Sequence, residues 1–305
     1  MTALAADPIA RTHQTGSGHP ERPERFDAAV AALRDMRLTR LAPRAATEAE
    51  LMLVHTRSYV TLVREETESG TRELSTGDTA IGPGTWPAAL HAVGAALNAV
   101  DAVLEGKARN ALCLVRPPGH HAAPGWGMGF CVFNNVAIAA RYARRQHGIA
   151  RVLIADWDVH HGNGTEETFQ GDSPVLFFST HQSPWYPGTG LKSGANVINC
   201  PFPAGAGGRE ILGAFREKLV PAAEKFKPEL VLVSAGFDSR EGDPLGRFRL
   251  TDADFAEMTR ILSRFAGGRV VSVLEGGYNL AGLAAAVRAH AEVLTEYSAK
   301  GGESS

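Results

Sequence analysis

Short apolar runs rich in Val, Leu and Ile alternate along the chain with segments of helical periodicity. The apolar runs lie at 110–115, 151–158, 175–181, 229–238 and 269–277. Helical periodicity marks 25–36, 58–68, 86–105, 134–147, 210–225, 252–265 and 280–297. Continuous apolar strands separated by helices are typical of a parallel sheet covered on both faces. The pattern therefore predicts an α/β fold with three layers, helices on each side of a central, mostly parallel sheet.

The same pattern predicts a single domain over residues 1–297. We find no internal repeat and no Ser/Gly-rich linker that would divide the chain. The last eight residues, "SAKGGESS" at 298–305, have no apolar periodicity and are predicted to be a disordered tail.

Composition and charge narrow the class of protein. The chain is 44% hydrophobic and 21% charged, with a net charge of −2, so it lacks the basic character of proteins that coat nucleic acids or membrane surfaces. Its three cysteines, Cys113, Cys131 and Cys200, are too far apart for a cysteine-based zinc site and odd in number. No signal peptide or membrane-spanning run is recognised. We expect a reduced, cytoplasmic protein without nucleic-acid or membrane partners; nothing in the pattern indicates an oligomeric state.

Histidine, aspartate and tyrosine side chains collect just after the predicted strands. "RPPGHHAAPGWGMGF" follows the strand at 110–115, and "DWDVHHGNGT" includes the end of the strand at 151–158. "GFDSREGDPLG" and "EGGYN" come at the ends of the two strands nearest the C-terminus. Ligands of open α/β sheets bind beyond the carboxyl ends of the strands, so these residues are expected to share one site.

The residue types and their spacing predict a metal ion in that site. Asp158 and His160 are two residues apart in extended chain and so face the same way, and Asp243, on another loop, could complete the set. Two carboxylates and one imidazole suit zinc with an open position, or ferrous iron in a related geometry. Asp156 lies on the same face and is predicted to orient a histidine, whereas His161 points the other way and is predicted to stabilise the loop.

These stretches resemble the histone deacetylase family of the arginase-deacetylase superfamily. "RPPGHHA", "DWDVHHGNGT", "SAGFDSREGDPLG" and "LEGGYN" occur in the order and spacing of that family, and the similarity extends from "GHPERPERF" (18–26) to the helix that follows Asn279. It is closest to the class II branch and its bacterial histone deacetylase-like amidohydrolases. The resemblance implies a central eight-stranded sheet and hydrolysis of an acyl-amide bond.

The resemblance also implies a role for each matching residue. Asp158, His160 and Asp243 would bind zinc, His120 and His121 would act on the water that the metal activates, and Tyr278 would polarise the substrate carbonyl. Gly129 would accept the substrate amide N–H through its backbone carbonyl, and Phe130 and Tyr186 would line the tunnel for the acyl-lysine stem. Asp156, Asp158, His160 and Ser179 would bind a structural potassium ion.

The tandem histidines are predicted to divide the acid–base work. The family pairs the first histidine with the residue here at Asp156 and the second with the residue at Asn163. A carboxylate favours the imidazolium form of its partner more than an amide does. His120 is therefore expected to be the cationic, electrostatic group and His121 the neutral general base that later protonates the amine.

The expected substrate depends on which residue lies at the mouth of the tunnel. The resemblance places Leu250 at a position where relatives specialised for acetylpolyamines can carry Glu, and an apolar residue offers an ammonium group no counter-charge. We therefore expect N-ε-acyl-lysine in proteins or peptides, with acetylpolyamines or other small acyl-amides as the alternative. An arginase-like site with two manganese ions lacks a ligand at Gly162. A binding module for acyl-lysine without turnover would require a lost ligand or a lost tyrosine, and neither is missing.

Overall fold

The computed structural model describes residues 1–300, and its centre is an eight-stranded sheet in which every pairing is parallel. The strands are β1 (Thr2–Ala5), β2 (Thr39–Arg40), β3 (Asn110–Cys113), β4 (Val152–Asp156), β5 (Val175–Gln182), β6 (Val197–Phe202), β7 (Leu230–Ala235) and β8 (Val270–Leu274). Their order across the sheet is β2-β1-β3-β8-β7-β4-β5-β6. The predicted α/β architecture is confirmed.

Helices cover both faces of the sheet. They are α1 (Glu24–Ala32), α2 (Glu48–Leu51), α3 (Arg57–Glu68), α4 (Thr85–Leu104), α5 (Asn135–His147), α6 (Asn163–Phe169), α7 (Gly208–Ala214), α8 (Val220–Phe226), α9 (Asp252–Ser263) and α10 (Leu280–Lys300). A π-helical turn, Phe215–Leu219, joins α7 to α8, so the helix predicted at 210–225 is interrupted at its middle. Short 3-10 turns lie at Pro8–Thr12 and Ala266–Gly268.

The buried side chains form two apolar cores, one on each face of the sheet. Val152 and Ile154 of β4 belong to the core shared with α3, α4 and α5. Leu153 and Ala155, the alternate residues of the same strand, belong to the core shared with α1, α9 and α10. Because successive side chains of a strand point to opposite faces, a strand buried on both faces reads as a continuous apolar run. The three-layer arrangement therefore explains why this strand appears in the sequence as a continuous apolar run.

The sequence analysis did not predict β2 and β6, the strands at the two edges of the sheet. β2 has only two residues, both exposed, and β6 contains Pro201. A proline lacks the N–H that a central strand needs but is tolerated at an edge, and β6 is the last strand on its side. Edge strands are partly exposed and lack the uninterrupted apolar run that marked the central ones.

The C-terminal helix is longer than predicted. The expected disordered tail began at residue 298, but α10 continues through Lys300. Ser298 Oγ donates to Leu294 O one turn earlier and lies 2.8 Å from Thr2 Oγ1, so packing against the first strand extends the helix. Residues 301–305 lie outside the described part of the chain.

Helix α4 is long and apolar enough to cross a membrane by length and composition. The sequence pattern had not suggested any such run. In the fold, 67% of the most apolar window of α4 is buried, and its side chains contribute to the core beside β1 and β3.

The strand order explains why the chemistry-bearing loops meet. β3, β8, β7 and β4 are consecutive neighbours in the sheet, and all run in the same direction. Their carboxyl ends therefore lie at one edge. The loops that follow them carry, in the same order, the tandem histidines, Tyr278, the "GFDSREGDPLG" stretch and the Asp158/His160 pair.

Candidate active site

Three buried side chains from the loops after β4 and β7 form a compact group of metal-type donors. They are Asp158, His160 and Asp238, whose donor atoms all lie within 4.8 Å of one another. His160 Nδ1 lies 3.0 Å from Asp158 Oδ1 and 3.2 Å from Asp238 Oδ2. The predicted pairing of Asp158 with His160 on one face is therefore what the structure shows.

The third predicted ligand, Asp243, lies on the same loop as Asp238. Its carboxylate accepts hydrogen bonds from the backbone N–H groups of Tyr278 (2.7 Å), Asn279 (3.1 Å) and Leu245 (2.9 Å). Asp238 follows the end of β7 by three residues, whereas Asp243 lies further along the loop. Asp243 thus orders the loop that carries Tyr278, and its binding of a metal stays a prediction.

The donor set fits a divalent cation. Asp238 Oδ2 is buried and has no hydrogen-bond partner among the described residues. Burial and the negative charge of Asp158 raise the pKa of Asp238 to about 7, so a cation between the two carboxylates would relieve a real electrostatic cost. At Gly276 a Cβ would lie 2.0 Å from Asp238 Oδ2 and 2.6 Å from Asp158 Oδ2, so the absent side chain leaves the space beside both oxygens free.

The tandem histidines lie next to this group and have the two partners that were predicted. His120 Nδ1 lies 3.0 Å from Asp156 Oδ2, and His121 Nδ1 lies 2.8 Å from Asn163 Oδ1. The centres of the two imidazole rings are 4.0 Å apart. Since an amide oxygen accepts only, His121 donates from Nδ1, which leaves its Nε2 free to accept a proton.

The electrostatic surroundings of the two rings are opposite. Burial lowers the pKa of His120, but the charges of Asp158 and Asp156 outweigh it and raise that pKa to about 10. For His121, burial and then the neighbouring positive charge of His120 hold the pKa well below its usual range. The predicted division into a cationic and a neutral histidine has a physical basis in these contacts.

Tyr278 also lines the pocket, and its loop is held by Arg25. Its ring is 9% exposed, and the guanidinium of Arg25 lies 4.8 Å from the ring centroid. Arg25 also donates to the carbonyls of Gly277 (2.6 Å) and Glu275 (2.5 Å). The hydroxyl is therefore presented by a loop whose backbone is held in place by Arg25 and Asp243.

A pocket opens above the donor group. Its lining residues are Asp78, His121, Gly129, Phe130, His160, Trp185, Tyr186, Leu245 and Tyr278. Gly129 has a φ of +58°, and a Cβ there would lie 2.3 Å from His121 Cδ2, so only glycine permits the close approach of this backbone to the histidine. Phe130 and Tyr186 both line the pocket, consistent with the expected aromatic walls.

The residue at the pocket mouth differs from the prediction. Leu250 is only 1% exposed and belongs to the apolar core with α9 and α10, so it cannot contact a substrate. Leu245, five positions earlier, lines the pocket. The prediction for Leu250 is therefore wrong, because it chose a residue too far along the loop after β7.

Two residues of the predicted potassium site, Asp158 and His160, belong to the donor group, and the other two, Asp156 and Ser179, lie on neighbouring strands. Asp156 of β4 and Ser179 of β5 are directly paired in the sheet, and Asp158 and His160 follow on the same loop as Asp156. Ser179 Oγ lies 2.9 Å from His181 Nδ1. Monovalent cation binding there stays a prediction.

"GHPERPERF" supplies a buried ionic cluster. Its Glu21 is fully buried and pairs with Arg25 at 2.9 Å and with Arg116 through both carboxylate oxygens, at 2.5 and 2.6 Å. Within this stretch Arg25 therefore lies against a buried carboxylate. Glu21 links the residue beneath Tyr278 to Arg116, which begins the tandem-histidine loop.

His161 stabilises the loop that carries Tyr186. Its two ring nitrogens each lie 2.8 Å from a partner, Thr189 Oγ1 and Glu166 Oε2. His181 Nε2 lies 3.0 Å from Gly190 O on the same "YPGTG" loop. The structural role predicted for His161 agrees with these contacts.

Four residues of the site were missed by the sequence analysis. They are Asp78, Asp238, Leu245 and Glu275. Asp238 could have been found, since it lies closer to the end of its strand than Asp243 does. Asp78, which accepts from Gly129 N (2.6 Å) and Tyr186 Oη (3.2 Å), comes from the long connection between α3 and α4 and carried no local signal.

Comparisons with known proteins agree with the geometry. The model of the histone deacetylase domain matches residues 19–294. The chain is 47% identical over 290 residues to the polyamine deacetylase HDAC10 of Homo sapiens, covering 88% of this chain but 43% of the human protein. It is 40% identical over 301 residues to histone deacetylase 14, chloroplastic, of Arabidopsis thaliana, covering 88% and 71% of the two chains. The chain thus spans less than half the length of the human relative.

A solved structure extends the likeness to the whole fold. The crystal structure of the HDA15 HD domain superposes with a TM-score of 0.92 at 37% sequence identity, covering 96% of this chain and 90% of that one. The matched family model covers all four loops of the candidate site. The chain belongs to the histone deacetylase family.

Proposed function

We propose that this chain is a metal-dependent amidohydrolase that removes acetyl or other acyl groups from the N-ε amide of lysine in proteins or peptides. The observation that carries the proposal is the convergence of Asp158, His160 and Asp238 with the tandem histidines and Tyr278 around one pocket. This arrangement places a metal-type donor set, an acid–base pair and a hydroxyl donor within reach of one amide bond.

Asp158, His160 and the predicted third ligand Asp243 would hold zinc, with Asp238 beside them, and ferrous iron is the other ion that suits two carboxylates and one imidazole. When bound, such an ion supplies Lewis acidity that polarises an amide carbonyl and lowers the pKa of water. The remaining work falls to side chains of this chain. A structural potassium ion at Asp156, Asp158, His160 and Ser179 is part of the proposal.

His121 is proposed as the general base. Its Nδ1 is committed to Asn163, so its Nε2 can take a proton from the attacking water and later deliver it to the leaving amine. His120, paired with Asp156, stays protonated and stabilises the negative charge that develops on the reacting oxygens. The Tyr278 hydroxyl would donate to the carbonyl oxygen as it gains charge.

The pocket walls favour an extended aliphatic stem. Phe130, Tyr186 and Leu245 line the pocket, so a lysine side chain would bury its methylene groups against aromatic and apolar surface. The Gly129 carbonyl is proposed to accept the substrate amide N–H. Leu245 offers no counter-charge to an ammonium group, which favours acyl-lysine over an acetylpolyamine.

An acetylpolyamine or another small acyl-amide is the second candidate. Two observations favour it. Asp78 places a carboxylate in the pocket lining, and the human relative at 47% identity is a polyamine deacetylase. The direct test is kcat/KM of the zinc-loaded chain on an acetyl-lysine peptide and on N-acetylputrescine, measured side by side. A large preference for the peptide supports the proposal, and a large preference for N-acetylputrescine overturns the choice of lysine.

A further inference from the structure

The two loops that carry the proposed acid–base and hydroxyl groups are joined by one buried carboxylate. Glu275 is the first residue after β8 and is fully buried. Its side chain crosses to the loop after β3, where Oε2 accepts from Gly119 N at 2.7 Å and from His120 N at 3.1 Å. Its other oxygen accepts from Ser234 Oγ of β7 at 3.3 Å.

The backbone of Glu275 is itself immobilised. Its N–H donates to Ala235 O at 3.1 Å, and its carbonyl accepts from Arg25 at 2.5 Å. Because Arg25 is also held by buried Glu21, the base of the Glu275 side chain is fixed to the same frame that supports Tyr278. The carboxylate therefore starts from a defined point on the Tyr278 loop.

The tandem-histidine loop is confined from its other side as well. A Cβ on Gly119 would lie 2.6 Å from Phe133 O and from Asn135 N, so this backbone is already pressed against the start of α5. Between that contact and Glu275 Oε2 the loop has little room to move. The position of His120, and of His121 in the pocket lining, then depends on the reach of one side chain.

We propose that Glu275 is a positioning residue that sets the distance between the tandem histidines and Tyr278 by accepting the backbone N–H groups of Gly119 and His120. This inference rests on the proposed function, since it assigns a purpose to the placement of those groups. Glu275 does not line the pocket: it acts through the backbone of Gly119 and His120, next to His121, which does line it.

The contacts of Glu275 indicate that its acceptor oxygen matters more than its negative charge for positioning the tandem-histidine loop. Among residues 1–299, no Lys or Arg side chain forms a salt bridge with Glu275. Burial raises the pKa of Glu275 to about 7, so a neutral side chain is readily accommodated there. A glutamine would keep a carbonyl oxygen facing Gly119 and His120 while its amide group donates to Ser234 Oγ.

Two substitutions of Glu275 separate the effect of side-chain length from the effect of charge. Glu275→Gln keeps the length and the acceptor but removes the charge, whereas Glu275→Asp keeps the charge but is one methylene shorter. In zinc-loaded protein, we expect Glu275→Asp to lower kcat about 10- to 100-fold with KM changed less than about threefold. Glu275→Gln should lower kcat far less. Ser234→Ala, which removes only the third contact of the carboxylate, serves as the matched control and should retain kcat.

A readout independent of turnover completes the test. Hydrogen exchange of the Gly119 and His120 amides should accelerate in Glu275→Asp and stay slow in Glu275→Gln. A larger loss of kcat in Glu275→Gln than in Glu275→Asp would overturn the proposal, because charge would then matter more than reach. Unchanged amide exchange in Glu275→Asp would overturn it too. Absence of turnover in the unsubstituted chain would instead contradict the proposed function, and the amide exchange would still decide the role of Glu275.

Discussion

Asp243 Oδ2 accepts the backbone N–H of Tyr278 at 2.7 Å, so the carboxylate predicted to bind the metal also holds the loop of the proposed hydroxyl donor. Asp238 occupies the place beside Asp158 and His160. The two residues lie on one loop and have the same chemistry, and only their contacts assign them different roles.

Substitution of these two aspartates should therefore show which carboxylates bind the metal. Asp238→Asn removes one donor of the compact group and should weaken zinc binding by about 100-fold, measured by competition with a fluorescent chelator. Asp243→Asn removes the ligand predicted from the sequence and should weaken zinc binding at least as much. It should also lower kcat of the zinc-saturated protein, because it loses one of the contacts that order Tyr278. Full zinc affinity in either variant would exclude that carboxylate as a ligand.

The tandem histidines should contribute unequally. His121→Ala removes the proposed general base, a type of group worth about 10²- to 10⁴-fold in rate, and should cost at least about tenfold more kcat than His120→Ala. The comparison requires steady-state kinetics on zinc-saturated variants with zinc content verified. A greater loss in His120→Ala would mean that the roles are reversed.

The pocket mouth should respond to charge at position 245 and not at position 250. Leu245→Glu places a carboxylate in the pocket lining and should raise kcat/KM for N-acetylputrescine relative to an acetyl-lysine peptide by about tenfold. Leu250→Ala leaves this ratio unchanged but should cost about 2–5 kcal/mol of unfolding free energy, since the side chain is buried in the core. A changed substrate ratio in the Leu250 variant, with none in Leu245→Glu, would contradict the assignment.

Acid should destabilise the fold through His55. Burial lowers the pKa of His55 from 6.5 to about 4, and both ring nitrogens are engaged in the neutral form, with Nδ1 3.0 Å from Ala123 O and Nε2 accepting from Asn134 N at 2.9 Å. Because the folded-state pKa is depressed, this stabilisation is complete above about pH 6.5 and is lost as the pH falls towards about 4. The loss approaches about 1.4 kcal/mol per pH unit within that window.

Urea unfolding at pH 7.0 and 5.0 measures this dependence. His55→Gln keeps a donor and an acceptor but does not titrate. Between the two pH values, the unfolding free energy of the variant should therefore fall by about 2 kcal/mol less than that of the unsubstituted protein. An identical pH dependence in both proteins would show that His55 does not titrate as described. His290, also buried with a pKa lowered to about 3, keeps a residual dependence in the variant.

The sequence predicted the central strands and the convergence of their loops, because both follow from local patterns. β4 and β7 are buried on both faces and read as unbroken apolar runs, and the residues after them had to meet at one edge. The choice between Asp238 and Asp243 depends on how one loop turns back towards Tyr278, and spacing along the chain does not encode that. The role of Glu275 could not be predicted for a similar reason, since its partners Gly119 and His120 are 156 and 155 residues away along the chain.

The most direct test of the account is acetate release from an acetyl-lysine peptide by the zinc-loaded chain, compared with its Asp238→Asn and Tyr278→Phe variants at matched concentration. The account predicts continuous turnover by the unsubstituted chain, with kcat/KM at least about 100-fold lower in each variant. Zinc bound stoichiometrically without acetate release from this peptide or from N-acetylputrescine would contradict it, and would favour a module that binds acyl-lysine without hydrolysing it.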